Sequence, residues 1–257
     1  MCKTVALAHI EAHYAEKLGV DGIPLLKEHA KHEALGSPVP KFSVRKLAKE
    51  CGSKQGEILE RGGISRLAAR MGYQTTTTKP ATLNEFECFI RESITQEAPV
   101  FACFPVTANS LDPNFGRPAD YNGKNEHAAV IVAHDAVHHT VDLVHWGETW
   151  RAVPAAVLHE KMQQLPESRE QEIYTRVGDS VSDQTKNHSV VSYKYDLITN
   201  RAGADGQSLL HSIIPGPGTG FQNTLISVSP DPGHPRWQTS AGDSADTALL
   251  NPPHSGP

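Results

Sequence analysis

The chain has 257 residues, 38% of them hydrophobic, with a formal charge of −5, enough for one sizeable core with an appended segment. Lys and Arg form no basic stripe, which argues against a nucleic-acid partner, and no run approaches the roughly 18 apolar residues a membrane span needs. With no secretory leader at its start and four cysteines without CxxC spacing, the chain reads as cytoplasmic, with reduced thiols and no need of disulfides.

In chain order, the segment from Cys2 to Val20 carries Leu7, Ile10, Tyr14 and Leu18 at steps of three and four, which predicts a helix opening at Cys2. A second helix is expected over Ile23 to Leu35, ended by Pro38 and Pro40, and a third over SVRKLAKECG, stopped at Gly52. ISRLAARMGY repeats its apolar positions with helical spacing and stops at Gly72; the four threonines after it read as a strand. LNEFECFIRESI predicts one more helix, and APVFACFPV a buried strand.

From Thr107 to Asn125 the composition is that of an exposed loop of the kind that lines active sites. Strands are expected in HAAVIVAHD, TVDLVHWGE and EIYTRVG, with a helix in PAAVLHEKMQQL between the last two. Helices followed by an antiparallel sheet make the expected class α+β. Residues 1–178 are the expected domain. Residues 179–257 are polar and rich in Pro, Gly and Ser, and are expected to be partly disordered, most of all in roughly the last 50 residues, although SVVSYKYDLI could add a strand.

Thiol chemistry requires a thiolate, a base and usually a third group that orients the base. Cys2, at a helix start, meets unpaired N–H groups and the positive end of the helix dipole, which favour thiolate; Cys51, near a helix end, meets the opposite field. His127 opens a strand directly after the polar loop, a setting from which an imidazole can project into a cleft. Asp142 is the first choice of orienter, with His145 as its competitor on the opposite face of the same strand; Asn125 and Glu126 are fallbacks. His134, Asp135, His138 and His139 lack the spacing of a recurrent zinc motif. PGPGTG lacks the context of a phosphate loop. No metal or cofactor is expected.

Several blocks, in order, resemble the actin maturation protease family, a papain-like group related to peptidases that process bacteriocin leaders. They are MCKTVAL, KQGEILERGGISRLAARMGY, APVFACFPV, NEHAAVIV and HWGETWRAVPAAVLHEKMQQL, together spanning roughly residues 1–178. The resemblance implies a papain-like fold and a cysteine aminopeptidase that removes the acetylated N-terminal residue or residues of immature actin, with Cys2 as nucleophile and His127 as general base. Lys3 stands where the family has glycine, and only Met1 precedes Cys2, where the family has a glutamine suited to an oxyanion hole. The alternatives are a deamidase or acyltransferase acting on a protein side chain, and an inactive homologue that binds protein.

Overall fold

A computed structural model describes residues 2–25, 42–51, 58, 60–107, 113–121, 126–165, 171–175, 209–213 and 220–238, the segments 171–175 and 209–213 by their backbone alone. The elements in chain order are α1 (Cys2–Leu18), α2 (Val44–Glu50), α3 (Arg61–Arg70), β1 (Tyr73–Thr78), α4 (Leu83–Thr95), β2 (Val100–Pro105), β3 (Glu126–Asp135), β4 (Thr140–His145), β5 (Glu148–Pro154), α5 (Ala155–Gln163), β6 (Gln171–Thr175), β7 (Leu209–Ile213), β8 (Leu225–Pro230) and a 3-10 turn (Pro235–Trp237). The mixture of helices with antiparallel sheet matches the expected α+β class.

Local chemistry sets the helix ends. The Ser43 hydroxyl accepts from the Lys46 N–H at the start of α2. At α4, Thr82 and Glu85 form a reciprocal capping box, each side chain taking the other's backbone N–H. Gly72 ends α3 with φ at +93°, and a Cβ there would press on the His234 and Trp237 rings, so the stop signal is also a packing requirement.

Six strands form one antiparallel sheet in the order β1-β8-β2-β3-β4-β5, while β6 and β7 pair separately. Alternation gives the sheet two apolar faces. Phe101, Cys103, Ala128, Val130, Ile226 and Val228 pack with α1, α2 and α3. Val100, Ala102, Phe104, Ala129, Ile131, Val141, Leu143 and Leu225 pack with α4 and α5. Strand β2 lies between β8 and β3 and is buried along its whole length, the physical reason APVFACFPV is apolar without alternation.

Three expectations change. Ile23, Pro24 and Leu25 are not helical, and the rest of the helix expected there, 26–35, lies outside the described residues. TVDLVHWGE contains β4, the turn at Trp146 and Gly147, both with positive φ, and the opening of β5, a strand absent from the sequence reading. The boundary expected at residue 178 does not close the folded unit, because β8 returns to the sheet between β1 and β2 and the segment after it enters the core. Its apolar residues were outweighed in the sequence by Pro, Gly and Ser around them. The expected strand SVVSYKYDLI lies outside the described residues.

The returning segment is held by an ion pair. Arg236 and Glu11 are each 1% exposed; both guanidinium Nη atoms donate to the Glu11 carboxylate, Nη1 at 2.8 Å, and Nη1 also donates to the Met71 carbonyl at 2.8 Å. Glu11 accepts further from the Tyr73 hydroxyl at 2.6 Å and the Ile23 N–H at 2.8 Å. Losing one member leaves the other charge buried, at a cost of about 3–5 kcal/mol. Glu11→Gln and Arg236→Met are each expected to lower the free energy of urea unfolding by that amount, and the double variant to lose clearly less than the two losses together, as a double-mutant cycle measures.

Candidate functional site

Cys2 is the first residue of α1 and is 8% exposed. Its thiol points at the Glu126 carbonyl oxygen, 4.0 Å away, so α1 begins against the first residue of β3. The neighbouring Lys3 is fully buried, its ammonium 2.7 Å from the Glu126 carboxylate and 5.1 Å from the centre of the Phe221 ring. A cation in the first helical turn opposes the helix dipole; the buried carboxylate of Glu126 offsets it.

His127 follows Glu126, and alternation sends its side chain the other way. Glu126 shares the α1 face with Ala128 and Val130, whereas His127 shares the α4–α5 face with Ala129 and Ile131. Its ring lies among Phe104, Phe115, His145 and Trp146, at centroid distances of 6.0, 5.6, 5.1 and 5.4 Å. Burial, with His145 and Lys3 acting in the same direction, pushes the imidazole down to about 3. Nε2 has no hydrogen-bond partner. The thiol therefore reaches the strand one residue before His127 and from the opposite face of the sheet.

The two competing orienters also separate. Val141 and Leu143 face α4 and α5, so His145 shares their face and Asp142 takes the other. The Asp142 carboxylate accepts from the Ala152 N–H at 2.9 Å and from Arg151 at 3.3 Å, across the irregular register between β4 and β5. His145 instead lies 3% exposed beside His127 and stacks on Trp150, centroids 6.0 Å apart and planes 9° apart. Burial lowers its pKa, with Glu148 opposing and His9 assisting. Of the fallbacks, Glu126 is paired with Lys3, and Asn125 lies outside the described residues.

The remaining candidates are dispersed. Cys51 caps the C-terminal end of α2, where burial raises its thiol pKa, and Cys103 is inside β2. His138 bonds Asp135 at 2.7 Å, and His139 bonds Glu87 at 2.9 Å. Among the described residues, no three His, Cys, Asp or Glu side chains are arranged to hold a metal ion. A cavity of about 460 Å³ opens beside α1, between His9, Ile10 and His13 on the helix and Val130, Val132 and Val144 on the sheet.

Sequence reading missed the Lys3–Glu126 pair and the aromatic surroundings of His127. A lysine one residue into an apolar helix start was the available signal for the first. The second required knowing that Phe115, from the polar loop, and Trp146, from the turn, converge on one imidazole. No known protein family, no curated protein and no solved structure matches the chain.

Because the folded pKa of His127 is about 3 and its ordinary value is 6.5, the unfolded chain takes up this proton first as pH falls. Stability from this group is thus complete above about 6.5 and lost progressively as pH drops toward 3. Between pH 7 and pH 4.5 the loss is about 2–3 kcal/mol. Replacing the ring by His127→Phe is expected to remove that part of the acid sensitivity, measured as the difference between urea unfolding free energies at the two pH values.

Proposed function

We propose that the chain is a papain-like cysteine peptidase of the cytoplasm in which Cys2 is the nucleophile and His127 the base. The substrate in this reading is the acetylated N-terminus of another protein, and the resemblance to actin maturation proteases points to actin. The observation that supports it is the meeting of two elements: a buried helix that begins at a cysteine ends its approach at the carbonyl of Glu126, directly before the histidine.

The chemistry follows from that meeting. N–H groups of the first helical turn favour thiolate at Cys2 and can stabilise the oxyanion after attack on a peptide carbonyl. His127 is neutral near pH 7 because it is buried, but the same burial, by lowering its pKa to about 3, makes it a weak base in this orientation, so in this reading it gains basicity only on leaving the aromatic pocket. To take the thiol proton, its ring has to swing round the beginning of β3 to the α1 face, so the reaction includes a rearrangement of the first residues of that strand.

A second reading, a protein-binding domain without turnover, is favoured by a specific observation. The buried Lys3–Glu126 pair sits beside the thiol, and the imidazole is turned into an aromatic pocket.

Incubation with an acetylated actin N-terminal peptide, followed by intact mass, separates the two. Loss of the terminal residue by the wild type and by Cys51→Ala is expected, with rates reduced at least ~10³-fold in Cys2→Ala and His127→Ala. No cleavage by the wild type, together with actin binding that survives Cys2→Ala, would establish the binding domain in its place.

A further inference from the structure

His145 has more structure built around it than an incidental strand residue requires. Trp150 stacks on one side of its ring, and the guanidinium of Arg117 lies 4.3 Å from the centre of Trp150, backing the stack. On the ring's edge lies Gly116, where a Cβ would come within 2.1 Å of Cε1 and 2.3 Å of Nε2. Gly116 also has φ at +95°, so both its conformation and its closeness to the imidazole require glycine. The polar loop before β3 thus closes over His145 at the one residue type that allows the approach.

What the clamp holds in place is a second imidazole. The rings of His127 and His145 are 5.1 Å apart and nearly perpendicular, at 85°. His127 Nε2 and both nitrogens of His145 are buried without hydrogen-bond partners, while the rings around them are Phe104, Phe115, Trp146 and Trp150. A neutral imidazole carries one donor and one acceptor, and the donor or acceptor role of one nitrogen is set by what the other nitrogen meets. Buried unpaired nitrogens are costly; Glu148 Oε2 lies 3.9 Å from His145 Nε2, beyond hydrogen-bond reach, and of the rings around His127 that of His145 is the nearest by centroid.

We infer that His145 is the positioning residue of His127 in its resting orientation: a small turn of the two rings closes an N–H···N hydrogen bond that selects one tautomer and holds the imidazole on the α4–α5 face. Its meaning for catalysis rests on the peptidase reading; its meaning for the His127 tautomer does not. Asp142, held on the other face by Ala152 and Arg151, is outside this arrangement. The other charged or titratable groups acting on the pair are Lys3 and the N-terminal amine on His127, and Glu148 and His9 on His145.

Long-range proton–nitrogen NMR of the imidazoles at pH 7.5 tests the inference without requiring activity. The wild-type chain is expected to show His127 in a single tautomer with an exchange-protected ring N–H. His145→Ala is expected to give mixed tautomers and lose the protection, and His145→Gln, whose amide offers both a donor and an acceptor, to restore part of it. Gly116→Ala leaves both imidazoles in the chain and is expected to disturb the same signals. Asp142→Asn is expected to leave them in place. An unchanged His127 tautomer in folded His145→Ala and Gly116→Ala, or a changed one in Asp142→Asn, overturns the inference.

Activity then separates the two levels. Where the wild type cleaves, His127 has to leave this contact to reach the thiol, so His145→Ala is expected to keep or raise kcat with KM little changed, and a kcat lowered by about tenfold or more overturns the assignment of the contact to the resting state. A wild type that does not cleave but shows the coupled ring signals refutes the peptidase reading and leaves the positioning contact standing.

Discussion

The buried pair of Glu11 and Arg236 is the constraint on which the rest of the molecule depends. It joins the middle of the first helix to a segment near the other end of the chain, and two fully buried charges tolerate no arrangement in which they separate. Tyr73, at the start of β1, and the backbone at Ile23 and Met71 complete the shell around the same carboxylate and guanidinium. One interaction thereby sets the position of α1 against the sheet and holds the segment that follows β8. Tyr14, one turn further along α1, adds hydrogen bonds to the Glu97 and Val228 carbonyls at 2.9 and 3.0 Å.

Once α1 is fixed, its first residue is fixed too, and the sheet becomes the dividing surface of the candidate site. Cys2, Lys3, Glu126 and Asp142 belong to one face, and His127 and His145 to the other. The division arises from the pleat: neighbours on a strand point apart. Its consequence is that the thiol and the imidazole lie on opposite faces at the first two residues of β3. Phe115 and Gly116, ahead of β3 in the chain, pack on the imidazole face.

The electrostatics of the two faces differ accordingly. On the α1 face a buried cation and a buried carboxylate neutralise each other beside the helix start. On the opposite face two imidazoles lie in aromatic surroundings where charge is disfavoured, and both are held neutral by burial. The first arrangement places a paired cation and carboxylate beside the thiol. The second keeps His127 unprotonated well below the pH at which a solvated histidine would accept a proton.

Much of the local structure was legible because it follows from near neighbours in the chain. Helical spacing identified α1 and α3, Gly72 the end of α3, and the uninterrupted apolar run of β2 its burial on both faces. Alternation in β4 showed that Asp142 and His145 point apart, but left open which of them accompanies His127. That choice depends on the register between β3 and β4, with its irregularity between Ile131 and Ala133, which is a property of two strands together. The return of β8 and the burial of Arg236 were illegible because polar, proline-rich flanks mask a short strand and because an arginine gives no sign in sequence of the carboxylate that will meet it. The sequence alone thus determined α1 to α5 and the strands β1 to β4, and which residues have the chemistry to react, since these depend on residue type and short spacing. Tertiary structure alone decided which reactive groups share a face, because that depends on strand register and on contacts between residues distant in the chain.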